Sequence, residues 1–460
     1  MIDTFFTSRR ALFVSVSLLM FLLLSLLGTS VLVRLQLATS DGTIVVDYNK
    51  PLRALDPLAI GVDISGYFYP DVFANDRVEQ QKIKTLSIKY MRMHLMYTSS
   101  GDPTSKIICA GDGCDTRWTG DQWINAIKQI GAEPVITVNT SPSIDAANLV
   151  KHFNRDTHNP VHYWIIGNEP NADGTPAENY SAVFNQDYDA MKAIDPTIKI
   201  GGGAVAWYDH NWLKHFLQNS GSRVDFVDFH GYAQQGTTPG DYNKLFQLAD
   251  GYGKSIVDLR ALIQATVPSR ATQIGIEVGE WELDWGGSAQ NNSTFHAVWA
   301  ATVLGNILKT GGRSLFYADK GNLLYGSHHT FKDAKGHTIT VSPDDTNPAY
   351  HGIGMFSGEG LFQHFGSTMV NATTTLPNIE VFASDHARNI VVINKDPSTP
   401  RKAAFDLKGV TSTIAEVWQK DQSTPFPNPP EKQDAINVQN GTFTYLLPPF
   451  SITTFVLKNA

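Results

Sequence analysis

The sequence predicts an α/β protein, a (β/α)8 barrel followed by a C-terminal β-sandwich domain and preceded by an N-terminal transmembrane segment. Three observations predict it. Eight short β-rich runs alternate with amphipathic helical stretches between about residues 51 and 365. Beyond residue 365 the pattern changes to alternating strands separated by turn signals. Before residue 40 stands a long uncharged apolar run.

That run extends from Ala11 to Val33, with Arg9 and Arg10 in front and Arg34 behind. It is long enough to cross a bilayer as a helix and longer than the core of an ordinary signal peptide. No small-x-small cleavage site follows directly. Residues 1–40 are therefore expected to be a cytoplasmic stub and membrane anchor, with residues 11–33 in the membrane and the body outside the cytoplasm. Cleavage, giving a secreted protein, is the alternative. Residues 41–50 contain the strand-like Thr43 to Asp47, which precedes the barrel and is expected to pair with the sandwich.

Residues 51–365 are read as the barrel. Its strands centre on Ala59 to Ile64, Ile88 to His94, Pro134 to Val138, Tyr163 to Ile166, Ile198 to Gly202, Val224 to Phe229, Ile274 to Val278 and Ser314 to Tyr317. Helical periodicity falls at Asp121 to Ile130, Tyr180 to Ile194, Trp212 to Gln218, Gly253 to Ala265 and Phe295 to Lys309, where crossovers are required. An open doubly wound sheet usually carries a glycine-rich phosphate turn after its first strand, and Gly61 to Gly66 does not match one. Residues 366–460 are read as the sandwich, with strands at Val391 to Asn394, Ile414 to Trp418 and Ser451 to Leu457.

Composition narrows the function classes. With 460 residues, 42% of them hydrophobic, the chain can bury a large core. A formal charge of -8 and the lack of any Lys/Arg run argue against nucleic acid as a partner. Nine Trp and sixteen Tyr offer flat apolar faces suited to sugar C–H groups, although most must serve the core. The only cysteines, Cys109 and Cys114, lie in a Gly/Asp-rich stretch and suit a small disulfide in an oxidising compartment; two free thiols are the alternative. No third ligand accompanies His328 and His329, so neither a metal nor a cofactor is expected.

Two glutamates stand where chemistry is expected. The apolar strand His162 to Gly167 stops at Asn168-Glu169-Pro170, and proline keeps the strand from continuing. Barrel active sites gather at the C-terminal ends of strands, so Glu169 is expected to enter the mouth. The alternative is a surface Asn-Glu-Pro turn. The segment Thr272 to Trp285 contains Glu277, Glu280 and Glu282. Strict alternation puts Ile274, Ile276, Val278 and Glu280 on one face and Glu277 on the other. If the apolar set faces the interior, Glu280 is the inward carboxylate, Glu277, the runner-up, faces the helices and a salt bridge, and Glu282 lies in the loop. Carboxylates ending the fourth and seventh strands would face each other across the mouth. At about 5 Å separation one attacks an anomeric carbon while the other protonates the leaving oxygen.

Gly167-Asn-Glu-Pro-Asn171 resembles the acid/base signature of clan A glycoside hydrolases, and Val278-Gly-Glu-Trp281 resembles their nucleophile strand. Within the clan the chain is most similar to family 39, through Lys89-Tyr-Met-Arg-Met-His94 and Phe229-His-Gly-Tyr232. The resemblance runs from the first barrel strand to the C-terminus and implies a retaining hydrolase with Glu169 as acid/base and Glu280 as nucleophile. It implies that Arg92, His94, Asn168 and His230 bind an oligo- or polysaccharide, and that Tyr232 hydrogen-bonds the nucleophile. Ile166-Gly167 and Trp281-Glu282 depart from the family's commoner residues, so the pocket is expected to differ.

Each residue has a plainer role beside that one. Asn168 suits an N-cap, and Arg92 suits an ion pair with Glu280. Trp281, next to the nucleophile, is the first choice for a stacking platform, and Tyr317 the second. Two other readings stay open: a membrane-tethered endo-hydrolase of exopolysaccharide, and a carbohydrate-binding barrel without catalysis.

Overall fold

The computed structural model describes residues 40–64, 73–95, 108–110, 113–115, 119–140, 143–285, 287–318, 321–332, 338–411, 413–424 and 427–459. Eight parallel strands close into a barrel: Ile60–Asp63, Tyr90–His94, Glu133–Val138, Tyr163–Ile166, Lys199–Val205, Phe226–Gln234, Gly275–Asp284 and Arg313–Tyr317. They are adjacent in chain order, and the eighth pairs with the first through Ser314 opposite Ile60. Helices Arg77–Thr85, Gly120–Gln129, Ser143–Lys151, Ala177–Ile194, His210–Ser220, Tyr242–Thr266, Thr294–Thr310 and Pro348–Ser357 follow the strands in turn.

Local sequence explains the helix starts. Thr119 and Gln122 form a reciprocal capping box before the second helix. Asp241 accepts from the Lys244 amide and starts its helix eleven residues before the predicted Gly253. Periodicity misses those first turns because Gly251 and Gly253 interrupt the helical pattern.

Inside the barrel, Tyr90, Val135, Ile165, Ala204, Phe226 and Leu315 form an apolar plug with one residue from each of six strands. Outside it, the alternate strand residues, Val62, Met91, Ile136, Trp164, Val227 and Val278 among them, join the helices in a continuous core. A filled interior leaves the ends of the strands as the place for a site.

The C-terminal strands form a nine-stranded sheet, and Gly42–Ala54 lies within it. That strand runs antiparallel to Thr368–Thr374 and parallel to Arg401–Lys408. The core of this domain includes Ile44, Val46, Phe405, Phe443 and Phe455, with the Phe405 and Phe443 rings stacked at 4.2 Å. Phe382, Phe450 and Ile452 reach into the barrel's outer core, so the domains are packed together. No helix of the described residues is long and apolar enough to cross a membrane, and the run 11–33 lies outside them.

The backbone pairs Cys109 opposite Cys114 in a short antiparallel ladder; their side chains lie outside what the structure describes.

Candidate active site

The fourth strand ends in an unusual turn. Gly167 has φ +78° and Glu169 φ +49°, a left-handed conformation that costs a non-glycine residue about 1–2 kcal/mol. The Glu169 amide donates to the Ala204 carbonyl at 2.8 Å, fixing the turn to the fifth strand. This strained backbone carries the Glu169 side chain, which is one-third exposed.

The seventh strand brings Glu280 to the same place by a route that simple alternation does not describe. Glu277 sits opposite Asp228, and its Oε2 accepts from Tyr90 Oη at 3.4 Å within the barrel. Ile276 and Val278 face the helices instead. The expected faces of Glu277 and of the apolar set are thus exchanged. A register shift between Val278 and Glu280 inserts Gly279, reverses the alternation, and sets Glu280 opposite His230 on the interior side. A Cβ on Gly279 would lie 2.3 Å from Asp228 Oδ1, so the bulge requires glycine.

The same bulge turns Trp281 away. Its ring is fully buried against Phe316, Trp299 and Tyr252, and its Nε1 donates to Ser314 Oγ at 2.9 Å. Trp281 is core and offers no face to a ligand, which overturns its choice as a platform. Glu282 lies in the strand, not the loop, and pairs with His296 at 2.8 Å.

Arg92 organises the site from below. Fully buried, it donates through Nη1 to Glu280 Oε1 at 2.7 Å and Asp63 Oδ2 at 3.0 Å, through Nη2 to Asn168 Oδ1 at 2.7 Å, and through Nε to Thr137 Oγ1 at 2.8 Å. One guanidinium thereby ties the first, second, third and seventh strands to the turn that carries Glu169. Asn168 is engaged there and caps no helix; the next helix begins at Ala177. Tyr232 Oη donates to Glu280 Oε2 at 2.7 Å.

Burial alone pushes the Glu280 carboxyl up, but the charges of His230, Arg92 and His94, with the Tyr232 hydroxyl, bring it down to about 2. Burial and the adjacent Glu280 charge hold the Tyr232 phenol well above its ordinary range, so it remains a donor.

His230 stands between the carboxylates, its Nδ1 2.9 Å from Glu169 Oε1 and 3.5 Å from Glu280 Oε1. Burial opposes a charge on this imidazole, but Glu280, Asp228 and Glu169 outweigh it and raise its pKa to about 10. Two partners compete for Nε2: Arg92 Nη1 at 3.2 Å, which needs a lone pair, and Asp228 Oδ2 at 3.5 Å, which needs a proton. Neither oxygen of the buried Asp228 carboxylate has a hydrogen-bond partner among the described residues, an expensive state that a proton on Nε2 relieves. We therefore assign Nε2–H toward Asp228, which leaves Nδ1 to share a proton with Glu169.

One oxygen of Glu169 and one of Glu280 lie within 4.8 Å of each other, with His230 in the same cluster. Asp63, His94 and Glu280 form a second cluster of possible metal donors. Arg92 already places its charge between Asp63 and Glu280, where a cation would be repelled. At the rim, Tyr317 is half-buried and meets Tyr232 edge-on at 6.1 Å.

The sequence reading missed Asp63 and Asp228. Each is a lone acid within an apolar strand, and an inward charge there signals a buried partner.

No family model matches the chain. A 107-residue stretch, 22% of the chain, is 36% identical to Endoglucanase A of Paenibacillus lautus and spans 15% of that protein's length. Several solved structures share the architecture. The α-L-arabinofuranosidase of Thermotoga maritima in complex with arabinose has a TM-score of 0.70 at 18% identity, covering 91% of this chain and 100% of that one. A Paenibacillus polymyxa xyloglucanase of glycoside hydrolase family 44 gives 0.67 at 15% identity, with coverage of 91% and 100%. CelM2, a bifunctional glucanase-xylanase from a metagenome library, gives 0.66 at 16%, with coverage of 91% and 99%. These likenesses place the chain, over nine-tenths of its length, in the fold of a closed (β/α)8 barrel joined to a β-sandwich.

Proposed function

We propose that the protein is a retaining glycoside hydrolase acting on an extracellular glycan. The observation that carries this reading is the approach of one oxygen of Glu169 to one oxygen of Glu280, within 4.8 Å, with His230 Nδ1 touching both carboxylates. Retaining enzymes hold their carboxyls about 5–5.5 Å apart, whereas inverting ones leave about 6.5–9.5 Å for a water.

In the first step an oxygen of Glu280 forms a bond to the anomeric carbon as the glycosidic C–O bond breaks. Glu169 delivers its proton to the leaving oxygen. The depressed pKa of Glu280 keeps the nucleophile ionised, and Arg92 and Tyr232 fix its two oxygens. Forming the ester removes the charge on Glu280. Glu169 then takes a proton from water, the water oxygen bonds to the anomeric carbon, and the ester bond to Glu280 breaks. His230, sharing a proton with Glu169 through Nδ1, holds that carboxyl in place through both steps.

The hydrolase names of the structural relatives support the same reaction class. The finer reading, family 39, rests on Lys89 to His94 and Phe229 to Tyr232. The apolar run 11–33 supports a membrane tether with the barrel outside the cytoplasm.

The test is cleavage of a panel of polysaccharides and aryl glycosides by the full chain, with products read by mass spectrometry. Cleavage lost in Glu280→Gln and strongly reduced in Glu169→Gln supports the reading. Binding of a glycan with no cleavage across the panel rejects catalysis in favour of a carbohydrate-binding barrel.

A further inference from the structure

Among the eight described tryptophans, Trp123, Trp164, Trp281 and Trp299 are fully buried, whereas Trp207 is 53% and Trp285 67% exposed. A single exposed apolar residue is ordinary on a protein surface. These two share an address. Trp207 stands two residues beyond the fifth barrel strand, and Trp285 directly follows the seventh. Both therefore lie on the C-terminal rim that carries Glu169 and Glu280.

Neither sits on an unsupported loop. The amide of Ala206, beside Trp207, donates to Asn171 Oδ1 at 2.8 Å, joining it to the turn that presents Glu169. Asp284, beside Trp285, accepts from the Ser288 amide at 3.1 Å and from Gln234 Nε2 at 3.2 Å, which braces the seventh strand's loop against the sixth strand. Held indoles left in water lose the benefit of burial, which a flat apolar ligand face would restore.

We propose that Trp207 and Trp285 are stacking platforms for sugar rings on the rim that carries the catalytic carboxylates. On this account the protein cleaves within a chain of uncharged, equatorially linked pyranoses. Equatorial linkage leaves axial C–H groups on both ring faces, and these pack against indole. Among the described residues, the basic groups gathered at the site, Arg92, His94 and His230, are buried and face carboxylates, so none of these is free to hold a sugar acid. The proposal rests on the hydrolase reading, with Trp207 and Trp285 taking the platform role that Trp281 cannot fill.

The test compares the full-length protein with Trp207→Ala, Trp285→Ala and, as a control, Leu446→Ala on the far domain. Two readouts are used: retardation in gels containing soluble β-linked glucan, xylan or glucomannan, and kcat/KM on those polymers and on an aryl glycoside. Each tryptophan variant is expected to weaken retardation and lower polymer kcat/KM about tenfold, with a smaller fall on the aryl glycoside. Trp→Phe should restore most of the loss, and Leu446→Ala should change neither readout. Retardation and polymer kcat/KM equal to the unaltered protein's in both alanine variants would overturn the platforms while leaving hydrolysis intact. Retardation that the alanine variants lose, in a protein that cleaves nothing, would keep the platforms and overturn the hydrolase reading. No retardation and no cleavage by the unaltered protein would overturn both.

Discussion

His230 Nδ1 lies 2.9 Å from Glu169 Oε1, while the same nitrogen is 3.5 Å from Glu280 Oε1, so one imidazole touches both carboxylates. This relationship makes the site a coupled unit. Each proton or charge removed from one member alters the field on the others, and mutations here should act together and not additively.

Glu169→Ala is expected to lower kcat by about 10²–10⁴ on substrates with poor leaving groups. The loss should shrink with an activated aryl leaving group, which needs no proton. Kinetics across aryl glycosides of graded leaving-group acidity check this; a uniform loss would remove Glu169 from the acid role.

Tyr232→Phe deletes one hydroxyl, the 2.7 Å donor to Glu280 Oε2. A hydrogen bond to a charged group contributes about 1.5–3 kcal/mol, so kcat should fall roughly 10- to 100-fold with the melting temperature little changed. An unaltered kcat would mean that Arg92 alone orients the nucleophile.

Arg92→Met leaves Asp63 and Glu280 buried without their shared cation. Breaking such a buried pair costs about 3–5 kcal/mol, so the variant should be both inactive and clearly destabilised in denaturant. Arg92→Lys should recover little, because a single ammonium cannot reach Thr137, Asn168, Asp63 and Glu280 at once.

Stability should follow pH through His230 and Glu280. The folded pKa of His230 is raised from 6.5 to about 10, so its contribution is complete below pH 6.5 and is lost as pH rises toward 10. Glu280 is lowered from 4.5 to about 2, so its contribution is present above pH 4.5 and is lost as pH falls toward 2. Melting curves of the protein and of His230→Gln should converge on the alkaline side. Parallel curves from pH 6 to 10 would show that His230 is neutral in the fold.

The barrel strands were legible because each is a short apolar run bounded by turn signals, and Glu169 because its strand stops at a proline. For Glu280 the period gives the inward face for the wrong reason: alternation along the strand breaks at Gly279, and the bulge, not the period, turns Glu280 inward. A bulge depends on Asp228 filling the space beside a glycine, a contact between neighbouring strands far apart in sequence that no local pattern records. The same bulge misdirected the choice of Trp281, while Trp285, four residues later, is the exposed ring. Asp63 and Asp228 were passed over because a lone acid in an apolar strand gains meaning only when its partner, Arg92 or His230, is placed.

The most direct test of the central claim is the anomeric configuration of the first product, followed by proton NMR immediately after the full-length protein meets a substrate it cleaves. With one oxygen of Glu169 within 4.8 Å of one of Glu280, the account predicts that the product forms with the configuration of the substrate and only later mutarotates. A first product of inverted configuration would contradict it.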